Sequence, residues 1–149
     1  MTAALEALVL ALSYPLRLMA TWISVGCLKL FGVPIHAERT LLMLEEDGIE
    51  IAVTDACGGI EQLFGLVVVG GLFAFMMQRG IGMRLMHWAT ILPCVVIANA
   101  VRLIVTVLLV RAVGEVILGN AWHLALGWAQ TVLAVALLWL FGKCLRALS

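Results

Sequence analysis

From Val116 to Gly142 the chain runs without one Asp, Glu, Lys or Arg. A helix needs roughly 20 predominantly apolar residues to cross about 30 Å of hydrocarbon, so this run predicts a membrane span over residues 122–142. Between Glu61 and Arg79 lie seventeen uncharged residues with LFGLVVVGGLFAFMM at their heart, predicting a span over 60–78. A further span is predicted over 88–110, interrupted by Arg102 alone. The N-terminal stretch contains Pro15 and Arg17 and predicts the first span, over 5–32. It reads either as one kinked, tilted helix or as an interfacial piece followed by a short span. Its opening, MTAALEALVLALSYPL, has no basic n-region, carries Glu6 early and shows no clear A-x-A site. It therefore reads as a retained span rather than a cleaved signal. Ordinary soluble domains are about 45–50% apolar and about 25% charged; this chain is 64% and 12%. A soluble globular enzyme, a disordered chain and a secreted disulfide scaffold are excluded. The expected fold is an all-α membrane protein, one domain over 1–149, with four transmembrane helices.

The long polar stretch lies between the first two spans, over 33–59. Within it Ile49, Ile51 and Val53 alternate with Glu50, Ala52 and Thr54, the period of a half-buried strand. Glu45-Glu46-Asp47-Gly48 separates this run from Thr40–Leu44, and Asp-Gly between two such runs signals a β-hairpin. Lys and Arg placement orients the chain. Arg79, Arg84, Lys143 and Arg146 mark the inner side, whereas the hairpin region holds six acidic residues against Arg39. The hairpin is therefore expected to be extracytoplasmic, with both termini inside and the chain a multi-pass protein of the plasma (inner) membrane. Nine Lys and Arg balance nine Asp and Glu, which gives no signal for nucleic acid as a partner.

This topology brings three residues of different chemistry to similar depth at the outer face. Cys57, in DACGGIEQL, stands just before the second span. Arg102, in NAVRLIV, lies eight residues before Val110, roughly 12 Å below the outer boundary at about 1.5 Å per residue. His123 opens the last span. A thiol, an imidazole and a guanidinium are the parts of a cysteine acyl-transfer site: the thiolate attacks a carbonyl, His moves protons, and Arg holds the oxyanion or orients the thiolate. Cys57 precedes Gly58 and Gly59 at a predicted helix N-terminus, where unpaired N–H groups favour a thiolate. Glycines also allow a substrate backbone to approach closely. A charge within the hydrocarbon costs about 2.5–3.5 kcal/mol on the insertion scale, so Arg102 is expected to face the bundle interior with a partner. Asn99 and Thr106 extend a polar stripe from it at i−3 and i+4. His123, Gly127 and Gln130 share one face of the last span, Gly127 allowing close helix packing.

Other residues read as structural. Cys57 has an alternative as the disulfide partner of Cys27, and Arg102 as a lipid-phosphate ligand. Cys94 and Cys144 read as small core thiols, and His36 as a surface residue. His87 lies across the membrane from His123, so the two cannot share one haem iron. Glu61, one helical turn from Cys57, is a further candidate partner for Arg102. No metal spacing and no cofactor motif is present in the four widely separated cysteines or elsewhere.

The segments DACGGIEQL, IANAVRLIV and HLALG resemble, in order and spacing, the signature segments of the exosortase/archaeosortase family of membrane-embedded transpeptidases. Those read as Cys-Ser-Gly-Ile/Leu, Asn-x-x-Arg and His-x-x-x-Gly. PLRLMATWISVGCLKLFGVPI also resembles the apolar segment preceding the family's extracellular hairpin. The resemblance implies that Cys57, Arg102 and His123 form a catalytic triad. Asn99, Gly58, Gly59 and Gly127 would support it. It further implies substrates that are exported proteins with a C-terminal sorting signal, made of a short motif, a transmembrane helix and a basic tail. In bacteria such signals are often of the PEP-CTERM type and accompany exopolysaccharide export. Gly58 stands where the family usually has serine, and the chain matches a compact catalytic core. A second copy completing a substrate groove would make it a homo-oligomer.

The expected function is thus a cysteine transpeptidase or protease at the outer face of the plasma membrane, in contact with lipid and with its exported substrates. The alternative is a non-catalytic membrane subunit of an export or assembly system that binds anionic lipid or polymer through Arg102.

Overall fold

The computed structural model describes residues 3–46, 48–53 and 60–148. Within them the chain forms α1 (Ala3–Leu30), three strands β1 (Ile35–Glu38), β2 (Leu41–Leu44) and β3 (Ile49–Ala52), then α2 (Ile60–Met77), α3 (Ile81–Ala89), α4 (Ile91–Val113) and α5 (Asn120–Leu148). A single turn of 3-10 helix, Glu115–Leu118, joins α4 to α5. Two helical stretches, Ile81–Val113 and Asn120–Leu148, are long and apolar enough to cross a membrane. The N-terminal stretch is one helix that continues through Pro15.

Within the third apolar segment, expected as a span over 88–110, α3 ends at Ala89 and α4 begins at Ile91. Pro93 accounts for the joint. It has no N–H, and its ring crowds the carbonyl four residues back, so it is best placed in the first turn of a new helix. The Thr90 hydroxyl closes α3 by donating to the His87 carbonyl at 2.6 Å. The chain is mostly helical as expected, but the polar stretch holds more than a hairpin. The expected strands β2 and β3 pair antiparallel, Leu42 opposite Ile51, but β1 adds a third strand on the far side of β2, Ala37 opposite Leu42.

Packing explains why the sheet sits where it does. Leu42, Leu44, Ile51 and Val53 turn to one side and join Leu103, Val107, Val110 and Ile117 in one buried cluster. The sheet is thereby seated on the C-terminal half of α4. The exposed ion pair of Arg111 with Glu46, at 2.8 Å, pins the β2–β3 turn to the end of that helix. Exposed His36 pairs with Glu45 on the sheet's outer surface. On the other half of α4, Ile91, Cys94, Val95 and Ala98 pack with Leu66, Ala134 and Leu138. The buried positions of α4 recur at helical spacing from Ile91 through Val110, which makes it the central helix. Helix α1 lies along it through small residues: buried Ser24 shares its hydroxyl between the Ala20 and Ala100 carbonyls at 2.7 and 3.1 Å. Helix α5 buries one narrow stripe and presents Trp122, Leu124, Trp128, Val132 and Trp139 outward.

Candidate functional site

Arg102 stands on the buried face of α4, 7% exposed, between the sheet cluster and α5. A guanidinium offers five N–H donors in a planar fork, and here the fork is divided between two residues of α5. One Nη1 hydrogen goes to the Gln130 Oε1 at 3.0 Å. Nη2 lies 3.3 Å from Nε2 and 3.4 Å from Nδ1 of His123 and donates to the His123 carbonyl at 3.3 Å. A ring nitrogen can accept from the guanidinium only through the lone pair of the neutral imidazole. Behind Arg102, Gln130 Nε2 donates to Asn99 Oδ1 at 3.4 Å, closing a chain Asn99–Gln130–Arg102–His123. The buried charge therefore has the partners that its position requires.

The helical spacing expected of these residues accounts for the convergence. Asn99 and Arg102 are three apart on α4; His123 and Gln130 are seven apart, two turns of the same stripe of α5. Thr106, the other end of the expected stripe, donates instead to the Arg102 backbone carbonyl at 2.8 Å and so satisfies itself locally. Gly127 is different from its expected part in close helix packing. A Cβ at that position would meet Arg102 Nη1 at 3.9 Å, ordinary contact, so the glycine borders the guanidinium rather than a neighbouring backbone. Gln130 is the residue whose importance spacing alone underrates: it shares the His123 face, but its bond to the guanidinium shows only in three dimensions.

The pair opens outward. A pocket of about 230 Å³ is lined by Arg102, Thr106 and His123, by Ile117 and Leu118 of the 3-10 turn, and by Glu50, Ile51 and Ala52 of β3. The polar end of the pocket is the Arg102–His123 pair, and the remaining walls are largely apolar. Cys57, Gly58 and Gly59 lie outside the described residues, as does the side chain of Glu61. Val53, the residue after β3, precedes Cys57 by four positions in the chain. Among the described residues, no group of three His, Cys, Asp or Glu side chains is arranged to hold a metal ion.

A second polar cluster lies near the other end of α5. His87, completely buried, bonds through Nε2 with the Leu138 carbonyl at 3.2 Å. Gln78 Nε2 approaches His87 Nδ1 at 3.4 Å and donates to the Gly142 carbonyl at 2.8 Å. Glycine is required at 142 because a Cβ there would stand 2.5 Å from His87 Cε1.

The family model of the transmembrane exosortases (Exosortase_EpsH) matches residues 1–140, nearly the whole chain. The chain belongs to that family and is a membrane protein. No curated protein and no solved structure matches it.

Proposed function

We propose that the chain is a cysteine transpeptidase or protease that cleaves C-terminal sorting signals of exported proteins at the outer face of the plasma membrane. Cys57, Arg102 and His123 carry the chemistry. The observation that carries this reading is the buried Arg102 fork, held by Gln130 and aimed at His123, at the polar end of a pocket that β3 also lines. Family membership supplies the reaction class. In the proposed topology four spans place the sheet and the pocket outside and both termini inside.

The steps follow from the groups present. The Cys57 sulfur attacks the scissile carbonyl, and its proton passes to the neutral imidazole of His123. The carbonyl oxygen becomes an oxyanion, which Arg102 Nη2 stabilises by a charge-assisted hydrogen bond. As the oxyanion engages Nη2, the His123 lone pair that had accepted from the guanidinium is released for the proton. Collapse of the tetrahedral intermediate breaks the C–N bond, the leaving amine takes the proton from His123, and a thioester remains on Cys57. An acceptor nucleophile, deprotonated by His123, then attacks the thioester, breaks the C–S bond and frees the thiol. Gln130 and Asn99 hold Arg102 in line throughout and act as positioning residues. Gly58 and Gly59 give the substrate backbone room beside the sulfur. The substrate's own transmembrane helix docks from the lipid and sets its scissile bond at the interface.

The test is a Cys57→Ala variant expressed with its exported substrate. Unprocessed substrate accumulates while the protein remains folded in the membrane. Full processing by Cys57→Ala together with loss of function in Arg102→Ala would favour a non-catalytic lipid- or polymer-binding subunit instead.

A further inference from the structure

The sheet has an edge that the proposed chemistry does not yet use. In the order β1-β2-β3, β3 is an edge strand, and among the described residues no strand pairs with its outer side. The register tells which backbone groups face outward. Val53 N–H donates to the Thr40 carbonyl at 2.8 Å, so Thr40 and Val53 are a hydrogen-bonded pair. In an antiparallel ladder such pairs alternate with non-bonded ones. The next bonded pairs are therefore Leu42 with Ile51 and Leu44 with Ile49, while Glu50 and Ala52 lie opposite Met43 and Leu41 as non-bonded pairs. The N–H and C=O of Glu50 and Ala52 consequently point away from β2. These same two residues line the pocket that holds Arg102 and His123.

From this juxtaposition we infer that the free edge of β3 is the substrate's docking rail: the segment around the scissile bond binds in extended form as a fourth strand beside Glu50 and Ala52. The inference rests on the catalytic reading of the pocket and specifies how the peptide enters it. An added strand gains main-chain hydrogen bonds that are indifferent to sequence, and alternate side chains fall on opposite faces. The peptide residue opposite Ile51 shares the face of Ile51, which is the buried side that packs with Leu103 and Ile117. An apolar side chain of moderate size is selected there. The neighbours of that residue, opposite Glu50 and Ala52, stand on the exposed face and are weakly selected. The occupant is a peptide rather than a lipid because a lipid offers no ladder of alternating donors and acceptors.

The experiment uses the full chain in detergent and acetyl-Ala-Ala-Ala chloromethyl ketone, whose chloride a thiolate displaces to form a C–S bond. Labelling of Cys57 is followed by mass spectrometry and divided by its labelling rate with iodoacetamide, which needs no strand docking. N-methylation of each peptide amide in turn should slow labelling at least fivefold in an alternating phase. Either the central amide alone is sensitive, or the two outer amides are and the central one is not. Ala52→Pro deletes one outward N–H, and edge strands tolerate proline at such positions; it should lower the tripeptide-to-iodoacetamide ratio by a similar factor. The N-methyl series on the unaltered protein decides alone if Ala52→Pro fails to fold. Cys57 labelled ahead of the other thiols, with no alternation and an unchanged ratio, overturns the docking rail and leaves the catalytic reading in place. Cys57 unreactive to both reagents overturns the catalytic reading and the rail with it.

Discussion

Among the described residues, two polar clusters inside the bundle are each built on a histidine and a glutamine, and they do different things. Around His87, the donors of Gln78 and the imidazole reach the carbonyls of Leu138 and Gly142, so the cluster fastens α2 and α3 to α5. Around His123 the partner is a cation rather than a carbonyl, and one side of the pair borders a pocket. A histidine in an apolar bundle is thus a candidate for chemistry when its partners leave one side open and include a group able to hold charge. Where its hydrogen bonds end on helix backbone, it is a fastener.

The largest effect that separates the clusters is expected at Arg102. Arg102→Ala should lower substrate processing by about 10²–10³-fold or more, the scale of losing an oxyanion donor. Arg102→Lys should not restore it, because one ammonium cannot serve Gln130 and His123 as a planar fork does. His87→Ala should leave processing per folded molecule near the parent level, and loss of processing in a folded His87→Ala protein would break the distinction.

Gln130→Leu comes next. It removes a hydrogen bond to a charged group, worth about 1.5–3 kcal/mol, and should reduce kcat by roughly ten- to a hundredfold with little change in KM. A purely structural role would lower the yield of folded protein and leave kcat unchanged. The glycines give the third contrast. Gly142→Ala drives a Cβ into the His87 ring and should cost about 1–3 kcal/mol by overpacking, seen as an earlier unfolding midpoint in denaturant. Gly127→Ala meets Arg102 Nη1 at ordinary contact distance and should change the unfolding free energy by no more than about 0.5 kcal/mol. The smallest effect is expected at the exposed Arg111–Glu46 pair, where Arg111→Ala should cost less than about 1 kcal/mol.

How much of this was legible in the sequence follows from the kinds of signal involved. Uncharged runs are conspicuous, so α2, α4 and α5 could be located within a few residues, and an arginine inside one of them demanded an interior partner. The β2–β3 connection was legible because Asp-Gly supplies a residue suited to positive φ, and Gly48 adopts φ 64°. The β1–β2 connection was not, because its positive φ falls on Arg39, at 58°, a residue type that gives no turn signal. The joint at Thr90 was hidden by hydropathy, which is indifferent to Pro93. Spacing put His123 and Gln130 on one face, but that the guanidinium would bridge them depends on the approach of α4 to α5. The pocket wall contributed by β3 was out of reach for the same reason: Glu50 and Ala52 are some fifty residues or more from Arg102 and are brought to it only by the seating of the sheet on α4.

In the proposed reaction Cys57 becomes covalently joined to a polypeptide, with Arg102 and His123 assisting. The direct measurement is mass spectrometry of the protein isolated under acid denaturing conditions from cells expressing its exported substrate. A hydroxylamine-labile polypeptide adduct is expected on Cys57 and is expected to be missing from Arg102→Ala. Active processing with no adduct on Cys57, or with the adduct on another residue, would contradict the proposed reaction.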